Sequence, residues 1–207
     1  METGYCKYIT ESEMQRFMQK LDSLQSPPMK CAIRMMQILG LRVGEVVRIK
    51  LSDFSDDFGR VNVVLEKSHG RIRQRQIPSI LQKYLKRYHR YNQRKYRDGY
   101  IFYPYANQSP YSHIQEGAVR AKVRIICRAI GLNDFYHVRR GNGDKKLYRI
   151  SPHTFRHYFL TKIWQTTKDI KVCQEIIGHK RTETTFDYIK MLHTVISEKD
   201  VLERAFG

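Results

Sequence analysis

The chain has 207 residues, 41% of them apolar, and 38 Lys and Arg against 20 Asp and Glu, a net charge of +18. Such an excess repels itself in a compact state, so it points away from chemistry on small neutral substrates and towards a polyanion: nucleic acid first, an anionic membrane surface second. The apolar content can build one sizeable core and excludes a charge-swollen disordered chain, while Arg34 and Arg48 interrupt the most apolar stretch and exclude a membrane span.

Residues 1–5 have neither the basic nor the apolar part of an export signal, and a first helix is signalled soon after them. Thr10 and Glu13 form a capping box, Ile9 and Met14 occupy the staple positions, and Met14, Phe17, Met18, Leu21 and Leu24 follow helical spacing. Ser26 and Pro27 open a second helix carrying Cys31, Met35, Met36 and Leu39, which Gly40 ends. Residues 41–48 are a tight restart into a short helix. Residues 60–66 and 71–77 read as two strands joined around Ser68-His69-Gly70, the second with Arg71, Arg73 and Arg75 on one face and Ile72 and Ile77 towards the other. Residues 79–96 predict a helix with Tyr84, Tyr88 and Tyr91 on its core side, 100–104 a short buried segment, and 112–130 a helix ended by Gly131.

A second hairpin is expected over 135–150, turning on Gly141-Asn142-Gly143-Asp144. Ser151-Pro152 opens a helix to about residue 164. Thr166 or Thr167 caps the next, which places Ile170, Cys173 and Ile177 on one face and closes at Gly178. A last helix starts near Thr182, and the tail from Ser197 carries an apolar stripe of Val201, Leu202, Ala205 and Phe206. Nothing repeats and no low-complexity linker divides the chain, so it reads as one α+β domain, mainly α-helical with a small antiparallel sheet or hairpin. Cys6, Cys31, Cys127 and Cys173 are scattered without a CxxC pair and read as buried thiols of a reducing compartment.

His153-Thr154-Phe155-Arg156 stands just inside a helix start. The i, i+3 spacing lets an imidazole and a guanidinium grip one group together, and the helix N-terminus suits phosphate. Phe155, Phe159 and Ile163 define the core stripe of that helix, with Arg156 at its edge, half buried and held for bidentate recognition. Gly178-His179 lies past the end of the next helix, and Tyr188 follows to one side of an apolar stripe. His153 and His157 at i, i+4 lack the glutamate of a HExxH metal site, so no metal is expected.

In order, Gly40-Leu41-Arg42-Val43-Gly44-Glu45, Leu51-Ser52-Asp53, a basic hairpin, His153-x-x-Arg156-His157 and Gly178-His179 with Tyr188 nine residues on resemble the tyrosine recombinase (phage-integrase-type) family. The resemblance implies that family's catalytic-domain fold across 1–207, without the N-terminal helical domain that most members carry. It implies that Arg42 and Arg156 clamp a scissile phosphate with His153 beside them, that His179 bonds a non-bridging oxygen, and that Tyr188 is the nucleophile. Glu45 would brace Arg42. Lys67, at the end of the first hairpin strand, would protonate the leaving 5′-oxygen, although the stretch from Lys67 to Pro78 is longer than the family's usual turn. No cofactor is implied.

Double-stranded DNA is the implied partner, with self-association as dimer or tetramer on it, through 197–207, and no membrane. The implied place is the cytoplasm, on DNA, with carriage by a virus, plasmid or other mobile element. Arg71, Arg73 and Arg75, the helix set Lys83, Lys86, Arg87 and Arg90, and the set Arg139, Arg140 and Lys145 with Lys146 and Arg149 are expected on backbone phosphates. Two rival readings share the residues: a type IB topoisomerase-like enzyme, which His153 disfavours because such enzymes usually carry lysine there, and a DNA-binding module that has lost catalysis.

Overall fold

A computed structural model describes residues 8–66, 70–92, 98–104, 111–139 and 145–178. Its elements run α1 (Glu11–Asp22), α2 (Pro27–Leu39), α3 (Val43–Val47), a single 3₁₀ turn (Leu51–Asp53), β1 (Arg60–Val64), β2 (Ile72–Gln76), α4 (Ser79–Asn92), α5 (Glu116–Ala129), β3 (Phe135–Arg139), β4 (Lys145–Tyr148), α6 (Pro152–Thr167) and α7 (Ile170–Ile177). The fold is the expected mainly helical α+β class, with two separate two-stranded antiparallel sheets among the described residues. The helix expected from Thr182, the tail 197–207 and the turn 141–144 lie outside the described residues.

Helix α2 is the centre. Its sequence is apolar nearly all round, and Met29, Cys31, Ala32, Ile33, Met35, Met36 and Leu39 are all buried, with α4 and α6 packed on it. Helix α1 starts on the capping box, Thr10 accepting from the Glu13 N–H at 3.2 Å and Glu13 accepting from the Thr10 N–H at 2.9 Å. Helix α2 ends where Gly40 takes the left-handed conformation at φ +63°. The ring of Phe159 on α6 lies so close that a side chain at Gly40 would run into it.

The first hairpin pairs Val61 with Arg75 and Val63 with Arg73. Its ladder extends by Leu65 N–H to Arg71 O at 2.9 Å and Ile77 N–H to Gly59 O at 2.8 Å. The expected faces of β2 are reversed in part. Val61 and Val63 are fully buried, so their cross-strand partners Arg73 and Arg75 turn inward, while Ile72 is 63% exposed. The partner strand's register decides the face, not the residue types of β2 alone.

Four further expectations shift. The buried stripe of α4 is Leu81, Leu85 and Tyr88, whereas Tyr84 is exposed, with the Arg34 guanidinium 4.0 Å above its ring. Helix α5 starts at Glu116 because Ile114 N–H donates to Phe102 O at 2.9 Å, holding the preceding chain extended against the buried segment at Ile101 and Phe102. Helix α7 is capped by Asp169, which accepts from Lys171 N–H at 2.7 Å; α6 runs through Thr167, and Lys168 ends it in the left-handed region. Arg149 is not turned to solvent. It donates to Glu13 at 2.7 Å and Asp134 at 3.1 Å, pinning the start of α1 to the β4–α6 junction.

No helix among the described residues is long and apolar enough to cross a membrane. The Gly40 turn sets the exit of α2, so Gly40→Ala is expected to cost about 1–3 kcal/mol of unfolding free energy through backbone strain and the Phe159 contact. Urea denaturation checks this; an unchanged midpoint contradicts the tight approach of α6 to the turn.

Candidate active site

Arg42 is the residue before α3, and Glu45 lies in that helix's first turn. The Glu45 carboxylate accepts from the Arg42 backbone N–H at 2.8 Å through one oxygen and from Arg42 Nη1 at 2.8 Å through the other. Glu45 is only 3% exposed, so the pairing is shielded from water and fixes the guanidinium relative to its own backbone.

Arg156, the fifth residue of α6, is 4% exposed and thus more deeply set than the half-buried position expected of it. It donates from Nη1 to Gly40 O at 2.7 Å and from Nη2 to Ile177 O at 2.9 Å. Those carbonyls end α2 and α7, where no intrahelical donor is available and the helix dipole favours a cation. One turn earlier His153 is exposed, and its ring meets that of His157 edge-on with centroids 4.8 Å apart. The turn itself is held by Thr154, which accepts from Ser151 N–H at 3.0 Å and donates to Arg149 O at 3.0 Å.

Arg42, His153 and Arg156 meet at one open cleft of about 460 Å³ with apolar walls that include Leu41, Val43, Ile150 and Pro152. Across it stand Arg120 and Arg124 of α5 and Lys146 of β4. Neither α5 arginine is among the residues expected at the site; the signal for them is their i, i+4 spacing on a helix whose buried stripe is Val119, Val123, Ile126 and Cys127. On the rim, Arg48 donates to Glu66 and to Glu116 at 3.0 Å, and Arg120 donates to Glu116 at 2.7 Å. Both carboxylates crowd Gly44, where any side chain would collide with them.

Of the other expected site residues, Lys67, His179 and Tyr188 lie outside the described residues. Glu66, next to Lys67, is on the cleft rim, and Gly178, next to His179, closes α7 at φ +77° against Arg73. Arg71, Lys83, Lys86, Arg87 and Arg90 are exposed, and none of them lines the cleft. Arg140 and the side chains of Arg139 and Lys145 also fall outside the description. Arg73 and Arg75 are half-buried on the inner face of the hairpin. Burial, with Arg73 beside it and Glu45 opposing, lowers Arg75 to about 10, which leaves it charged at neutral pH. Burial and neighbouring Arg71 lower Arg73 as well. Among the described residues no three His, Cys, Asp or Glu side chains converge as a metal-ligand set. Chemically the cleft brings together two anchored guanidinium groups and an imidazole, donors that suit a phosphodiester.

The tyrosine recombinase XerA of Pyrococcus furiosus is 26% identical over 203 residues, covering 96% of this chain and 62% of that protein. The tyrosine recombinase XerD of Listeria monocytogenes is 29% identical over 180 residues, 82% of this chain and 52% of its own length. The chain therefore spans between half and two-thirds of these relatives. A crystal structure of XerA recombinase superimposes with a TM-score of 0.70 at 22% identity, over 95% of this chain and 63% of that one, a likeness of fold. The sequence matches the phage integrase family over residues 7–194, and the chain belongs to that family, the tyrosine recombinases.

Proposed function

We propose that this chain cleaves and rejoins double-stranded DNA through a 3′-phosphotyrosine intermediate, in site-specific recombination or integration. The observation that carries this reading is the convergence of Arg42, His153 and Arg156, from distant parts of the sequence, on one basic cleft. The names of the XerA and XerD relatives and the family membership support it.

In this reading Arg42 and Arg156 hold the non-bridging oxygens of the scissile phosphate, and His179 bonds one of them. The Tyr188 hydroxyl, a poor nucleophile at its ordinary pKa of about 10, attacks phosphorus as its proton passes to the His153 imidazole. The P–O bond to the 5′-oxygen breaks, and Lys67 gives that oxygen its proton. Charge on the pentacoordinate centre is spread over the fixed guanidinium donors, whose stabilisation is largest where water is excluded. The phosphotyrosine ester retains the phosphodiester energy, so attack by a 5′-hydroxyl reseals the strand without a nucleotide. Glu45 keeps Arg42 from rotating away. The enzyme works inside the cell, on DNA, and its C-terminal tail joins it to a second copy there.

A DNA substrate with a 5′-bridging phosphorothiolate separates the roles. The wild-type chain is expected to form a covalent 3′ adduct and Tyr188→Phe none. Lys67→Ala is expected to lose about 100-fold or more on ordinary DNA and to recover on the phosphorothiolate, whose leaving thiolate needs no proton. No adduct from the wild type, or an adduct from Tyr188→Phe, overturns the mechanism.

The cleft also predicts a salt signature. Arg124→Gln is expected to weaken DNA binding at all sequences alike and to reduce the slope of log K against log salt by about 1. An unchanged slope in a filter-binding titration removes α5 from the DNA path.

A further inference from the structure

Two guanidinium groups cover four carbonyls at two helix ends. Arg156 takes Gly40 O and Ile177 O; Arg75 donates to Leu39 O at 2.8 Å and to Ile176 O. The two arginines thus bridge the same pair of ends in parallel, from opposite sides in sequence, one on β2 and one on α6. A single bridge leaves the two helix ends free to pivot about it. Two adjacent bridges fix both their spacing and their relative rotation.

The ends so joined are the ones that lead to the site. From Gly40 the chain passes through Leu41 to Arg42, and from Ile177 through Gly178 to His179. Apolar packing makes part of this connection, where the Phe159 ring of α6 meets Gly40. Ile177 and Cys173 of α7 form a small cluster with Phe159 and Leu160 of α6, separate from the main core that contains α2. Arg75 adds to that contact, its guanidinium carbon 5.7 Å from the Phe159 ring centre. It shares a small internal cavity with Arg73, Arg156 and Glu45, the carboxylate that braces Arg42.

We propose that Arg75 is a positioning residue for strand cleavage: together with Arg156 it cross-braces the ends of α2 and α7, so that Arg42 and His179 address the same phosphate. The proposal rests on the function proposed above. It withdraws Arg75 from the backbone-phosphate contacts expected of it, because its guanidinium is committed to carbonyls on the inner face of the hairpin. It also divides the labour between the two arginines. Arg156 faces both the helix ends and the cleft, whereas Arg75 holds the ends without lining the cleft.

The test uses the full chain with Arg75→Gln and Arg75→Lys, read by single-turnover adduct formation at saturating DNA, DNA affinity across salt, and thermal unfolding. Because a misplacement of about 1 Å can cost 10²-fold, Arg75→Gln is expected to slow adduct formation about 100-fold and Arg75→Lys, which can still reach one carbonyl, about 10-fold. Affinity and salt slope stay at the wild-type values. The defect has the same size on 5′-bridging phosphorothiolate DNA, since protonation of the leaving group is not what is lost. A lowered unfolding midpoint with a wild-type rate at saturating DNA would make Arg75 structural only and overturn the proposal. A fall in affinity with a shallower salt slope would make it a phosphate contact and overturn it equally. If Arg75→Gln does not fold, Arg75→Lys decides by the same readouts. An active wild type with unimpaired variants defeats this proposal alone, whereas an inactive wild type defeats the function on which it rests.

Discussion

Everything at the cleft depends on hydrogen bonds from two inward-facing arginines, Arg75 and Arg156, to the carbonyls that end α2 and α7. Bonds from a charged donor contribute about 1.5–3 kcal/mol each, and a carbonyl left buried without one costs a comparable amount. Main-chain groups at helix ends need partners in any fold. Here the partners are side chains from β2 and α6, so satisfying the backbone also locks the hairpin, the central helix and the last described helix together. The left-handed turns at Gly40 and Gly178 let the chain leave those ends abruptly. Arg42 follows the first turn within two residues, and His179 follows the second directly.

That arrangement changes the meaning of the +18 charge. Some of the basic residues work inside the protein: Arg34 on Asp22, Arg149 on Glu13 and Asp134, Arg75 on carbonyls. A second group, Arg42, Arg120, Arg124, Lys146 and Arg156, lines the cleft. A third, including Lys83, Lys86, Arg87 and Arg90, is exposed on α4 and away from it. Among the described residues, the second group gathers positive charge at one place with low-dielectric walls, which is where it acts most strongly on an anion. The rim carboxylates Glu66 and Glu116 belong to the same design, because Arg48 ties both to the Gly44 end of α3, next to Arg42.

Much of this was legible in the residues. The capping box at Thr10, the stops at Gly40 and Gly178, and the Ser151-Pro152 start are local signals, and local signals set helix limits. The family resemblance, carried by the order of Arg42, the hairpin, His153, Arg156 and Gly178-His179, named the fold correctly. What escaped depends on partners far away in sequence. Arg73 and Arg75 took the inner face because Val61 and Val63 stand opposite them, and a guanidinium is tolerated there only because helix-end carbonyls await it. Arg149 looked like one more basic residue until Glu13, 136 positions earlier, met it. Arg120 and Arg124 could be placed on an exposed helix face, but nothing in α5 says which exposed face looks into the cleft.

In the proposed mechanism two braced helix ends present Arg42 and Arg156 to a single phosphate. A crystal structure of Tyr188→Phe bound to an uncut DNA duplex tests it most directly. One backbone phosphate is predicted between the two guanidinium groups, with oxygens about 3 Å from each, and the α2 and α7 ends still bridged by Arg75. DNA lying along α4 with no phosphate at Arg42 and Arg156, or a phosphate held by only one of them, would contradict it.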